Sequence, residues 1–128
     1  MRHIFILFLL CFTAVSAVAQ EPTPQKFVVF FEEWSARLDD AGLAVISHAG
    51  DYANAHPSAV LHVEGFADPI GSRKANALLT DLRAQVVIDQ LQTDGVAPAR
   101  IRGRGRGSVR FALSSQESRR VEISFGGH

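Results

Sequence analysis

The chain is nearly free of sulfur, with one cysteine, Cys11, and one methionine, Met1, in 128 residues. A single thiol excludes an internal disulfide framework and a cysteine-based zinc site. Net charge is missing as well: 13 Lys+Arg stand against 13 Asp+Glu. A neutral total provides no global attraction to nucleic acid or acidic lipid. His48, His56, His62 and His128 show no metal-ligand spacing, so no metal is expected. No nucleophile elbow or paired-carboxylate motif frames the Ser, His and Asp residues, so no catalytic residue and no cofactor is expected either. The glycines from Gly103 to Gly107 lack the lysine and spacing of a phosphate loop. No internal repeat is visible, and a 47% hydrophobic, 20% charged composition suits one compact domain.

What is present starts with an address. Met1, Arg2 and His3 form a short basic start, Ile4 to Val15 is almost wholly apolar, and Ala17-Val18-Ala19 puts small residues where a signal peptidase inspects. These three parts make residues 1–19 a cleavable secretory signal peptide. The alternative is an uncleaved anchor, but the apolar stretch is shorter than the roughly 20 residues that span a bilayer. Leu10 precedes Cys11 where a lipid-attachment box requires a small residue. Cleavage after Ala19 removes Cys11 and Arg2 and leaves a cysteine-free chain with no transmembrane segment. Such a domain holds together by packing alone, and export removes it from nucleic acid.

Residues 20–26, with Pro22 and Pro24, read as a flexible leader. Phe27 to Phe31 is a β-branched and aromatic run, hence a buried strand. Leu38, Val45, Ile46, Ala49, Tyr52 and Ala53 recur at helical spacing, and His56-Pro57 ends that helix. Ala59 to Gly65 alternates, with Leu61 and Val63 on one face and Val60, His62 and Glu64 on the other. After the turn-rich Pro69 to Ser72 comes the longest helix, with Ala75, Leu79, Leu82, Val86 and Leu91 as its apolar positions and Gly95 and Pro98 as its stop. Ile101 opens a third strand, and Arg119 to Phe125 alternates as a fourth, Val121, Ile123 and Phe125 facing one way. The order is β-α-β-α-β-β, an α+β, two-layer sheet-and-helix domain.

One constellation carries chemical meaning. Asp68 lies just past the second strand, near the positive end of the long helix. Asn76, Thr80 and Arg83 share one face of that helix at 3.6 residues per turn. A carboxylate, an amide and a guanidinium then converge at one end of a sheet. The carboxylate accepts from an ammonium, and the guanidinium grips a carboxylate, so the guest is a zwitterion such as an amino-acid head group. The plainer alternative has Asp68 capping the helix, with Arg83 solvated or paired to it.

The stretch Val63-Glu64-Gly65-Phe66-Ala67-Asp68-Pro69-Ile70-Gly71-Ser72 resembles the V-x-G-H-T-D-x-x-G-S segment of OmpA-like peptidoglycan-binding domains. The resemblance continues in register through Asn76, Leu79, Thr80, Arg83, Ala84, Val87 and Leu91. It then takes in Gly95-Val96, Arg100-Ile101, Gly105, Gly107 and Arg119-Arg120-Val121-Glu122-Ile123. It covers residues 27–125, the expected domain. The resemblance implies a non-enzymatic domain that holds peptidoglycan without covalent bonds, gripping the diaminopimelate of the stem peptide at the positions of Asp68 and Arg83. It implies supporting positions at Gly71, Asn76, Thr80 and Arg120, and a periplasmic or outer-membrane-associated place in a Gram-negative envelope. Phe66 and Ala67 replace the family's histidine and threonine, Ala75 a frequent aromatic and Ser118 an asparagine, and the segment from Ser108 to Ser118 is short. Losing a hydrogen bond beside the site costs about 1–3 kcal/mol where its partner stays buried.

Arg100, Arg102, Arg104, Arg106 and Arg110 make a basic stripe among glycines. Over a strand, Arg100 to Arg106 would share one face. That face is either an anion-binding edge, at Arg102, Arg104 and Arg106, or a solvated edge that resists strand-to-strand aggregation. Trp34 in the first loop reads as a packing residue. The expected function is a periplasmic cell-wall tether or scaffold. The alternatives are a module on the same fold that binds another envelope protein and, with no motif in support, an envelope hydrolase.

Overall fold

The computed structural model describes residues 25–108 and 118–126. The signal peptide, the start of the leader, Arg110 and most of the short segment before Ser118 lie outside the described residues. The elements run in the expected order: β1 (Lys26–Phe30), α1 (Asp40–Ala55), β2 (Val60–Ala67), α2 (Arg73–Thr93), a 3-10 turn (Pro98–Arg100), β3 (Ile101–Ser108) and β4 (Arg120–Gly126). They form one four-stranded sheet in the order β1-β4-β2-β3. β4 is antiparallel to both β1 and β2, whereas β2 and β3 are parallel. A parallel pair cannot be closed by a tight turn, and α2 supplies the crossover between its strands.

Alternation along the strands separates the two faces of the sheet. Leu61 and Val63 of β2, Val121 and Ile123 of β4 and Val29 of β1 are buried with Ile46 of α1 and with Ala84, Val87 and Leu91 of α2. The opposite face carries His62, Glu64, Arg120 and Glu122, and no helix covers it among the described residues. α1 begins two residues later than the Leu38 spacing suggests. Asp39 caps it, its carboxylate accepting from the Gly42 amide at 2.7 Å, while Leu38 packs against the core from outside the helix.

α2 departs from the expected apolar stripe. Of the expected positions Leu82 is 52% exposed, Ala75 is exposed, Leu79 and Val86 are half-buried and Leu91 is buried, whereas the buried set of the helix is Asn76, Thr80, Arg83, Ala84, Val87 and Leu91. The polar face wins in the first half of the helix because it fits against glycine-bearing strands. A Cβ at Gly65 would collide with the Thr80 carbonyl oxygen, and one at Gly105 would lie 2.5 Å from both the Thr80 hydroxyl and the Asp81 amide nitrogen. With no side chain in the way, the Gly105 amide donates to Asp81 at 2.8 Å and the Gly107 amide to Thr80 Oγ1 at 3.0 Å. Hydrogen bonds thus replace hydrophobic contact where the first half of α2 meets β3, while farther along Ile88 packs on Gly103.

The basic stripe is also rearranged. Arg100 does not join the other arginines on β3. It sits in the 3-10 turn, and its guanidinium donates to the carbonyls of Ala53, His56 and Ala59, with distances from 2.7 to 3.2 Å. The last carbonyls of a helix have no partner within it, and a cation there is doubly favourable. Arg102, Arg104 and Arg106 do alternate along β3, an edge strand. Arg104 and Arg106 both lean on Glu64, at 3.4 and 3.6 Å, and Arg102 donates to the Ala99 carbonyl at 2.8 Å.

Candidate functional site

Four segments meet at the carboxyl end of β2: Asp68 just beyond that strand, the first turns of α2, the loop between β1 and α1, and Arg119 just ahead of β4. Ser72, not Asp68, caps α2, its hydroxyl accepting from the Ala75 amide at 3.0 Å. That frees the Asp68 carboxylate from the capping role. It is 5% exposed and pairs with Arg119 across 3.2 Å. Asn76 donates to the Ile70 carbonyl at 2.8 Å and more weakly to that of Asp68 at 3.4 Å, so it shapes the turn that carries the carboxylate.

Arg83 is fully buried, at 0% exposure. Its Nε donates to the Ser35 carbonyl at 2.7 Å and its Nη2 to that of Glu32 at 2.9 Å, and the guanidinium lies 5.3 Å from the centre of the Phe31 ring. Its Nη1 is buried and has no hydrogen-bond partner. Burial pulls the Arg83 pKa down to about 10, the like charge of Arg119 adds to the fall, and Asp68 opposes it. The group remains a cation at neutral pH, and it is poorly compensated. A buried donor without an acceptor beside an incompletely balanced cation is a site that favours an incoming anion.

These groups share a shallow hollow lined by Trp34, Ala67, Asp68, Asn76, Arg83 and Arg119, with Glu33 and Leu79 completing it. Its empty space is too narrow to seat a water-sized guest. Of the expected site residues, Asp68, Asn76 and Arg83 come together here. Gly71 adjoins the hollow through Trp34, whose indole rests on it. Thr80 is turned to β3 and is no part of the lining. Arg120 faces the opposite side of the sheet, over the Phe66 ring at 4.3 Å and bonded to Glu122 at 3.1 Å. Of the adjacent pair Arg119 and Arg120, it is Arg119 that lines the hollow. Alternation contains that signal, because Arg119 has the parity of the buried Val121 and Ile123, and Arg120 that of Glu122. The same parity sends Phe66 to the open face, so of the two substitutions in the Phe66-Ala67 pair only Ala67 borders the hollow. Trp34 and Glu33, on an irregular loop, had no such signal.

The OmpA family profile matches residues 30–123. The chain belongs to the OmpA family. Members of this family are non-enzymatic binding proteins, and the hydrolase alternative falls with that membership. The chain is 31% identical over 102 residues to the probable lipoprotein YiaD of Escherichia coli strain K12, covering 75% of this chain and 47% of YiaD. It is 32% identical over 117 residues to the peptidoglycan-binding protein ArfA of Mycobacterium bovis, covering 87% of this chain and 34% of ArfA. With the peptidoglycan-associated lipoprotein of Legionella pneumophila it shares 28% identity over 116 residues, covering 86% of this chain and 65% of that one. The chain thus spans about half or less of the first two relatives. Among solved structures, the peptidoglycan-associated lipoprotein of Burkholderia pseudomallei superposes with a TM-score of 0.73 at 24% identity, covering 78% of this chain and 90% of the other. The periplasmic domain of Helicobacter pylori MotB has a TM-score of 0.68 at 22% identity, covering 84% and 76%. These two establish a shared fold. No helix among the described residues is long and apolar enough to cross a membrane.

Proposed function

We propose that this OmpA-family chain binds peptidoglycan non-covalently through the diaminopimelate of its stem peptide. It would act in the periplasm as a tether or scaffold, delivered there by a signal peptide at residues 1–19. The observation that carries the reading is the pairing, in one hollow, of a buried carboxylate with a buried guanidinium that has one nitrogen unengaged. A side-chain amino acid of diaminopimelate presents an ammonium and a carboxylate on one carbon. Asp68 would accept from the ammonium, with Glu33 adding negative charge at the rim. Arg83 Nη1, with Arg119 beside it, would donate to the carboxylate. The like charges of Arg83 and Arg119, which now oppose each other, would then face an anion between them. The names of ArfA and of the peptidoglycan-associated lipoproteins support the same substrate class.

The test is calorimetric titration with two stem peptides, one ending in diaminopimelate and one in lysine, which lacks the second carboxylate. The diaminopimelate peptide is expected to bind at least tenfold more tightly, the equivalent of about 1.4 kcal/mol for the carboxylate. Arg83→Met should abolish the difference, Asp68→Asn should weaken both peptides alike, and Arg120→Ala, on the far face, should leave the difference intact. Equal affinity for the two peptides would refute the assignment. The narrowness of the hollow supports a second reading, a module on this fold that serves another envelope protein and holds the wall weakly. That reading requires sacculus pull-down to fail with the wild-type chain.

A further inference from the structure

Trp34 is out of place for a residue that only packs. It is 52% exposed, and its φ of 53° makes it the one non-glycine residue in the left-handed region among the described residues. A bulky side chain rarely adopts that backbone, and a residue held there against its preference marks a position worth a functional question. Its neighbour across the hollow has a matching peculiarity. Gly71 has φ 91°, and a Cβ there would lie 2.5 Å from Trp34 Cη2 and 2.8 Å from Cζ2. The indole therefore lies directly on a bare stretch of backbone, at the side of the same hollow that holds Asp68 and Arg83.

The loop on either side of Trp34 is held by Arg83 itself. The two carbonyls that accept from this guanidinium belong to Glu32 and Ser35, which bracket the tryptophan in the chain. Any change in the position of the Arg83 head group as it takes an anion is passed directly to the backbone carrying the indole. The hollow is meanwhile too tight for a guest, so admission of one requires a wall to move. Of its lining, Asp68, Asn76 and Arg83 are buried and bonded to their surroundings. Glu33 is exposed at the rim, and the half-exposed indole, resting on a glycine, is the wall that covers the hollow and can move.

From this juxtaposition we infer that Trp34 is the movable wall of the binding hollow and a specificity-determining residue: it swings off Gly71 to admit the diamino acid and then packs on its aliphatic chain. The inference rests on the diaminopimelate reading above. It assigns to Trp34 what the charged pair cannot provide, recognition of the apolar methylenes between the two ends of the ligand.

Trp34 is the only tryptophan of the chain, so its fluorescence reports this wall alone. The experiment titrates a diaminopimelate-containing stem peptide into wild type, Trp34→Phe and Trp34→Ala. Binding is read by calorimetry for all three, tryptophan emission for the wild type, and the fold of each by circular dichroism. The expected result is an emission change that saturates together with the heat. Affinity should fall roughly tenfold in Trp34→Ala, as for a truncated aromatic anchor, and less in Trp34→Phe. Binding by Trp34→Ala where the wild type gives no heat would overturn the inference, since the indole would then only block the hollow. Wild-type heat with unchanged emission, and an affinity for Trp34→Ala within twofold of wild type, would overturn the inference and leave the diaminopimelate reading standing. No heat with any of the three chains would overturn both.

Discussion

Replacing Arg83 by methionine separates what this side chain does for the fold from what it does for a ligand. Methionine fills much of the same space with no charge and no donor. The loss has two parts. The Glu32 and Ser35 carbonyls lose donors at 2.9 and 2.7 Å, at about 1–3 kcal/mol each where no water replaces them. The cation over the Phe31 ring contributes roughly another 1 kcal/mol. Against this stands relief from burying an under-compensated cation, whose pKa has fallen to about 10, a term on the order of 3 kcal/mol. The carbonyls are only partly buried, so water recovers some of their loss. The balance is a destabilisation of about 2 kcal/mol, or a Tm lower by about 10 °C in a domain of this size. Urea denaturation followed by circular dichroism measures the global change. Amide exchange across residues 31–38 measures the local one, which should exceed it, since the lost bonds hold that loop. A variant as stable as wild type, with the loop equally protected, would refute the claim that Arg83 props it.

Other outcomes follow from the same contacts. Arg100→Ala strips the donors from the carbonyls that end α1 and should lower stability by about 1–3 kcal/mol, with stem-peptide affinity in calorimetry unchanged. Gly105→Ala forces a methyl group against Thr80 and Asp81 and should destabilise by about 1–3 kcal/mol in urea denaturation, pushing α2 away from β3. Arg104→Ala removes an exposed side chain paired with the half-buried Glu64 and should change stability by less than about 1 kcal/mol; lost wall binding in a sacculus pull-down would instead favour an anion-binding edge. The folded chain holds the Arg83 proton less tightly than the unfolded chain does. Its unfavourable contribution is therefore complete below pH 10 and is relieved as the pH rises through about 10. The stability difference between wild type and Arg83→Met, which cancels the other titrating groups, should shift in favour of wild type between neutral pH and about pH 10.5.

The order of strands and helices was readable because it depends on local periodicity. Leu61 and Val63 alternate with His62 and Glu64, and Val121 and Ile123 with Glu122, whatever the rest of the chain does. Asp68, Asn76 and Arg83 were readable for the same kind of reason, since helical spacing puts the last two on one face and the turn puts Asp68 at its start. α2 was misread where local pattern and tertiary fit conflict. Leu78 and Leu82 point outward because Gly65 and Gly105 admit the backbone and polar side chains of α2 more closely than a leucine could approach.

The sequence by itself determined the element order, the family and the charged pair, since periodicity, turn residues and an ordered motif are all properties of neighbours along the chain. Only the tertiary structure decided which of Arg119 and Arg120 lines the hollow, because Arg119 meets Asp68 across 51 residues of chain. It likewise decided that Arg100 closes α1 and that Arg83 grips the loop bearing Trp34. In each case the partner is a backbone carbonyl or a carboxylate far away in sequence, and such a group becomes a partner only when the sheet and helices bring it within hydrogen-bond reach.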